Sequence, residues 1–411
     1  MPFTKLFTLG PERLLSLDYR GIAGICNHSI WRKNTGTMKA IRFAVLLLPL
    51  LATAGCGSYG GGATNSSSSA PVLFIYVVGQ NSQSIFGFKQ DSTNAITTLT
   101  IPTTGTTLQP KAVLVHPSKN FAYVANFGSN NVTKYSRNLT TGQLTPLGSV
   151  PPTPVGTGPI ALATDSKGQF LYVLNQGSVS VPASISAFSI DANRGLLTEL
   201  AGSPFATQPN PVAFAVSQSS GFLYVANGTQ HNVSGFAIGA DGTLSAVAGS
   251  PFDTGAGTNA SWVAVDPKGR FVYAADFANN AIVGFAIQSG GVLSAVSGSP
   301  FPCGGIQPTG LSIDATGAFL YVANQGSNSI SGLGIASSGS LSIVSGSPFP
   351  SGGAQTTYVT VDATNKFVYD TNSGGNNVGA SSINLTTGAL TQLTGSPIAV
   401  GTVPAWIATS N

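Results

Sequence analysis

The run Phe319-Leu320-Tyr321-Val322-Ala323-Asn324-Gln325-Gly326-Ser327-Asn328-Ser329-Ile330 decides the fold. Versions of it recur at Tyr76, Tyr123, Tyr172, Tyr224, Tyr273 and Tyr369, at steps of 47, 49, 52, 49, 48 and 48 residues. Self-similarity at a fixed period of roughly 50 residues marks a solenoid, an array or a propeller. It overrides the two or three domains that the length of 411 residues alone suggests.

Working outward from that run, each full repeat holds four short apolar segments. The first follows a proline, as in Pro308-Thr309-Gly310-Leu311-Ser312-Ile313. The Tyr-Val-Ala-Asn run is the second, and Ser329-Ile330-Ser331-Gly332-Leu333 the third. The fourth, Leu341-Ser342-Ile343-Val344, runs into Gly346-Ser347-Pro348-Phe349. Alternation over five or six residues, bounded by Gly, Asn and Pro, is the strand signal. Four strands in each of seven units predict an all-β, seven-bladed propeller. Its first unit, from Pro71, starts at a second strand, and Pro404-Ala405-Trp406-Ile407-Ala408-Thr409 reads as a first strand with no second after it. Joined in one blade, the two close the ring and remove a sheet edge.

Only 7% of residues are charged, against about 25% in an ordinary domain. Seven of the 17 Lys and Arg and two of the 13 Asp and Glu fall in residues 1–56, leaving ten bases and eleven acids downstream, a net of −1. A near-neutral body without basic clusters has no footprint for nucleic acid.

Met38-Lys39-Ala40-Ile41-Arg42 and the apolar run to Leu51 read as the charged and hydrophobic parts of an export signal. Thr53-Ala54-Gly55-Cys56 resembles the lipobox of bacterial lipoproteins, with Thr53 where Leu is usual; the resemblance implies acylation of Cys56. The expected organisation is an upstream extension over 1–37 with Met38 the true start, a lipoprotein signal peptide over 38–56, a Gly/Ser-rich tether over 57–70, and the propeller over 71–411. This makes the membrane, through a lipid anchor at the outer membrane or cell surface, the first expected partner. Cys303 is then the one other cysteine of the mature chain, and no disulfide framework is possible.

Asp165, Asp266, Asp314 and Asp362 share one repeat position with His116 and Ser217, each leading into a tight turn whose backbone these side chains can bond. The Gly-Ser-Pro motifs are read as the end of the outermost strand, where proline is tolerated.

The Tyr-Val-Ala-Asn runs, the Gly-x-Leu-Ser/Thr strands and the Gly-Ser-Pro-Phe endings resemble the lactonase-type seven-bladed propellers, and also the YVTN repeat proteins of microbial surfaces. The likeness covers 71–411 and rests on scaffold motifs. It implies the fold; the family includes 6-phosphogluconolactonases, a muconate lactonising enzyme, and members without established activity.

In such propellers ligands sit at the mouth of the central channel. The ends of the second strands place Asn126, Asn175, Asn227, Asp276, Asn324 and Asn372 near it, and the approaches to the innermost strands add Gln109, Asn210, Asn259, Gln307 and Gln355. These carboxamides either face a neutral polyhydroxy ligand or bond turn backbone. Three blades replace a small residue of the innermost strand by Trp262, Tyr358 and Trp406, which either stack on a flat ligand or wedge the blades together. Catalysis needs tunable groups, and these are scarce: His116, His231, Glu199 and Cys303 have no identifiable partner, with Cys303 expected to be exposed or half-buried. Lys111 with Asp276 or Asp370 is the remaining candidate hydrolytic pair. No His or Cys spacing suits a metal, and no cofactor is expected.

Two principal functional expectations follow. One is an exported, lipid-anchored monomer that serves as a binding platform for a glycan or an envelope protein. The other is a hydrolase of an unphosphorylated lactone. A purely structural surface repeat protein, its mouth filled by side chains, is the third.

Overall fold

The computed structural model describes residues 72–99, 108–147 and 151–410. The upstream extension, the signal peptide with Cys56 and the tether lie outside the described residues. Seven antiparallel sheets follow one another around a ring, numbered here as blades 1 to 7 in order of their second strands. Blade 6 shows the pattern: Pro308–Ile313 innermost, then Phe319–Asn324, Ser329–Ile335 and Leu341–Ile343. The only helical pieces among the described residues are three short 3-10 turns.

The ring closes as expected. Pro404–Ser410 pairs with Leu73–Gly79, so blade 1 is built from both ends of the described chain.

The core is divided among seven apolar clusters, and each lies between two adjacent blades. The repeated tyrosines are the bolts across those seams. All seven are fully buried. The hydroxyls of Tyr76, Tyr123, Tyr172, Tyr224, Tyr273 and Tyr321 donate to the carbonyls of Gly142, Gly195, Gly242, Gly291, Gly339 and Gly388 in the next blade, over 2.5–3.0 Å. Glycine is required at those positions because each has a positive φ and an added Cβ would strike a phenylalanine ring of the preceding blade; at Gly142 it would meet Phe74 at 2.1 Å.

The turn reading of the acids holds. Asp314 accepts the Ala318 and Phe319 amides, each at 2.7 Å, and Asp362 accepts those of Lys366 and Phe367 at 2.9 and 2.7 Å. His116 occupies this place in blade 2, buried, bridging Ser118 Oγ and the Gly168 carbonyl of blade 3. The Gly-Ser-Pro reading needs correction. In blade 6 the motif lies between Leu341–Ile343 and Phe349–Pro350, both of which pair with the third strand. It interrupts the outermost strand instead of ending it, and Ser347 Oγ accepts the Gly332 amide that the interruption would leave bare. The same serine-to-amide bond recurs in blades 3, 4, 5 and 7. Cys303 is likewise corrected: it is fully buried, and burial holds its thiol above the usual range.

Candidate functional site

The mouth of the channel is shaped by a bulge that recurs in every blade. In each innermost strand the register with the second strand shifts between the first and third residues, as at Pro110/Ala112 and Thr356/Tyr358. The second residue is left without a partner. A bulged residue is re-aimed away from the ladder, and here Lys111, Ile160, Val212, Thr357 and Ala405 line one cavity of about 320 Å³. Gln80, Gln176 and Ser373 reach it from the loops joining second to third strands, and Val403 and Pro404 from the approach to blade 1.

The approaches are held by a device that spans neighbouring blades. Asn130, Asn280, Asn328 and Asn376 sit at φ between 50 and 56, where asparagine is at home. Their side-chain oxygens accept the amides of Gly158, Gln307, Gln355 and Val403, respectively, at 2.6–3.0 Å. His231 takes this position in blade 4, and its ring Nδ1 meets the Thr258 carbonyl. That is a scaffold role, and it leaves His231 out of the mouth cavity's lining. Val403 has φ 54, a strained conformation for a β-branched residue, and its carbonyl accepts the Gln80 amide at 3.0 Å. Two lining residues are thereby tied together.

The floor is aromatic. Trp262, Tyr358 and Trp406 project from blades 5, 7 and 1 and meet one another. Ring centroids are 4.6 Å apart for Tyr358–Trp406, 5.2 Å for Trp262–Trp406 and 5.4 Å for Trp262–Tyr358, all tilted or edge-on. Trp406 packs against the clusters on both sides of blades 1 and 3, which places its indole across the channel axis. Ala112, Ala161, Ala213 and Gly310 leave room for the three rings. Trp262 and Trp406 also line the cavity above them. The three rings pack on one another between the blades, and Trp262 and Trp406 also present an aromatic surface to the mouth.

The carboxamides are placed differently. Asn126, Asn175, Asn227, Asn324 and Asn372 are fully buried, and none lines the cavity. Their Nδ2 groups bond third-strand side chains, as Asn324 does with Ser331 Oγ at 2.8 Å and Asn227 with Ser234 Oγ at 2.8 Å. The expected ring of amides at the mouth is a set of staples within the blades. Of the other amides named from sequence, Gln109, Asn210, Gln307 and Gln355 stand just before the innermost strands with φ of 55–57.

Nor do the proposed acids meet Lys111. Asp276 is buried at the end of its strand, where it accepts the Asn259, Ala278 and Asn279 amides. Asp370 is buried inside blade 7, accepting from Asn372 Nδ2 at 2.8 Å, and its second oxygen has no partner. Burial pushes its pKa up to about 8. Neither carboxyl lines the cavity, so the Lys111–Asp276 and Lys111–Asp370 pairs are not formed. Among the described residues Lys111 is the one charged residue lining it. Desolvation holds its ammonium below the usual lysine range, and its Nζ stands 5.8 Å from the centre of the Phe127 ring. Among the described residues no cluster of His, Cys, Asp and Glu is arranged to hold a metal.

The family model for the lactonase seven-bladed β-propeller matches residues 57–158, 149–251 and 243–349. The chain belongs to that family. Among solved structures it is similar to the periplasmic gluconolactonase PpgL of Pseudomonas aeruginosa, with a TM-score of 0.68 and 18% identity over 83% of this chain and 99% of that one. A Bacteroides uniformis protein provisionally assigned as a 6-phosphogluconolactonase gives a TM-score of 0.68 and 17% identity over 82% and 99%. A Lactobacillus plantarum protein gives 0.65 and 18% over 83% and 99%. At these identities the likeness is one of fold. None of the curated proteins compared matches the chain. As a lactonase-family propeller it keeps the scaffold, and among the described residues its mouth carries a single charge.

Proposed function

We propose that the protein is a lactone hydrolase whose substrate binds at the channel mouth over Trp262 and Trp406. The observation that carries this reading is Lys111, a partly desolvated cation on a bulge, above an aromatic floor and beside the amides of Gln80 and Gln176. Family membership supports it. Water adds to the lactone carbonyl, and the tetrahedral oxyanion collapses as the ring C–O bond breaks; the proton shed by the attacking water passes through solvent to the departing ring oxygen, giving a hydroxy acid. A positive charge fixed near the carbonyl oxygen stabilises that oxyanion more than the ground state. Thr357 and Ser373 offer hydroxyls to the ring substituents.

A phosphorylated sugar lactone would call for several Arg or Lys in one place, whereas among the described residues Lys111 alone lines the mouth. This favours an unphosphorylated substrate. A binding platform without turnover is the second reading, favoured by the aromatic and amide lining of the mouth, whereas family membership favours the hydrolase.

The deciding experiment is lactone hydrolysis by the purified protein over sugar and aliphatic lactones, with Lys111→Ala and Trp262→Ala alongside. Turnover reduced in both variants supports the reading. Absence of turnover on every lactone defeats it. Export with acylation of Cys56 is proposed from the sequence alone, and loss of membrane-fraction retention in Cys56→Ser would test it.

A further inference from the structure

Blade 3 departs from its neighbours where its second and third strands join. Four residues separate Asn324 from Ser329 in blade 6, and four separate Asn126 from Asn131 in blade 2. In blade 3 the strands end at Asn175 and resume at Ser184, so the connection spans 176–183 and is twice as long. This insertion accounts for the one long step in the tyrosine repeat. It presents Val179, which is fully exposed, and Val181, 42% exposed. Exposure is built in: the Ser178 amide donates to the Val181 carbonyl at 2.8 Å, and Ser178 Oγ accepts the Ser180 and Val181 amides. The turn satisfies its own backbone and turns its valines outward.

Between this loop and the segment Thr207–Asn210 leading into blade 4 lies a groove of about 580 Å³, with Val179, Val181, Pro182 and Pro209 among its walls and, among the described residues, no charged one lining it. Gln176 lines both this groove and the mouth cavity. The two spaces adjoin, one with a cation and the other with Val179, Val181, Pro182 and Pro209 set among uncharged polar residues.

We propose that the groove is a second subsite of the mouth, and that it takes an alkyl chain carried on the lactone ring while the carbonyl lies near Lys111. This rests on the hydrolase reading above and names its substrate class: uncharged lactones with an apolar tail. Val179 and Val181 are the specificity-determining residues. Burying each methylene against them gains about 0.8 kcal/mol, which is a rise of about fourfold in kcat/KM per methylene until the groove is full.

The test uses the purified full chain with γ-butyrolactone, γ-octalactone, γ-dodecalactone and glucono-δ-lactone, on the native protein and on Val179→Ser/Val181→Ser. Both valines are exposed on a self-bonded loop, so the double variant keeps the fold, which its melting temperature checks. The expected result is a kcat/KM that climbs with chain length in the native protein and is flat in the variant, with γ-butyrolactone turned over equally by both. Turnover of glucono-δ-lactone with no gain from the chain, or a gain that survives in the variant, overturns the subsite and leaves the hydrolase standing. No turnover of any lactone overturns both.

Discussion

The Tyr369 hydroxyl donates to the side-chain oxygen of Gln90, across the seam where blade 7 meets blade 1. The six other tyrosines of the repeat reach a glycine carbonyl. Blade 1 supplies an amide side chain in its place, from the strand Ser84–Gln90. Both residues are buried. Tyr369→Phe removes the donor and leaves Gln90 unpaired, at a cost of about 1–2 kcal/mol. Denaturant unfolding would show it, and a midpoint unchanged from the native protein would mean that the seam is held by apolar packing alone.

Gly142 and Gly221 share a positive φ, 72 and 71, but differ in surroundings. A Cβ at Gly142 would lie 2.1 Å from the Phe74 ring, whereas at Gly221 nothing stands within 4 Å. Gly221→Ala should cost about 1–2 kcal/mol for the left-handed backbone alone. Gly142→Ala adds displacement of a buried ring, about 1–3 kcal/mol more. Equal losses in thermal melts of the two variants would refute the contact as the reason for glycine.

Asp370 stands where five other blades have Val77, Val124, Val173, Val225 and Val322. Its folded carboxyl keeps the proton up to about pH 8, whereas a free aspartate releases it at about 3.9. The folded state binds more protons over that interval, so stability falls as pH rises from about 4 to about 8 and is level above. Asp370→Val should raise the melting temperature, more at pH 8 than at pH 5, and flatten this slope. A gain independent of pH would show that the carboxyl does not titrate in this range.

Lys111 must carry its proton to stabilise an oxyanion. Because desolvation lowers its pKa, kcat/KM should fall with rising pH earlier than an ordinary lysine would allow. Lys111→Arg keeps the charge and should move that fall to higher pH, while Lys111→Ala should lose about a hundred- to a thousandfold in kcat. A high-pH limb identical in the native protein and Lys111→Arg would remove Lys111 from the reaction.

The ring was legible because its signal is periodic: one tyrosine per blade, one set of turn acids, and two half-blades at the ends that complete each other. The mouth was not, for a physical reason. Which side chain faces the channel depends on a bulge at residues as unlike as Lys111, Ile160, Thr357 and Ala405, and no residue type encodes it. Without that register, Asn324 at a strand end looks as if it faces the mouth, and Asp370 as if it stands near Lys111. The pleat turns the first into its own blade and buries the second inside blade 7. Val403 carries backbone strain behind an ordinary-looking residue. The inserted loop at 176–183 was visible only as a longer step in the spacing. Trp262, Tyr358 and Trp406 were found because they break the repeat, and departures from a period are what a sequence displays best.

Blade 1 has one consequence in time as well as in space. The strand Pro404–Ser410 is synthesised after every other strand described, and it carries Trp406, the ring that lies across the channel axis. A chain emerging from the ribosome can stack its blades in order, yet its first blade lacks the innermost strand and the floor of its mouth lacks one of its three rings until those residues are free. Closing the circle and finishing the pocket are a single event.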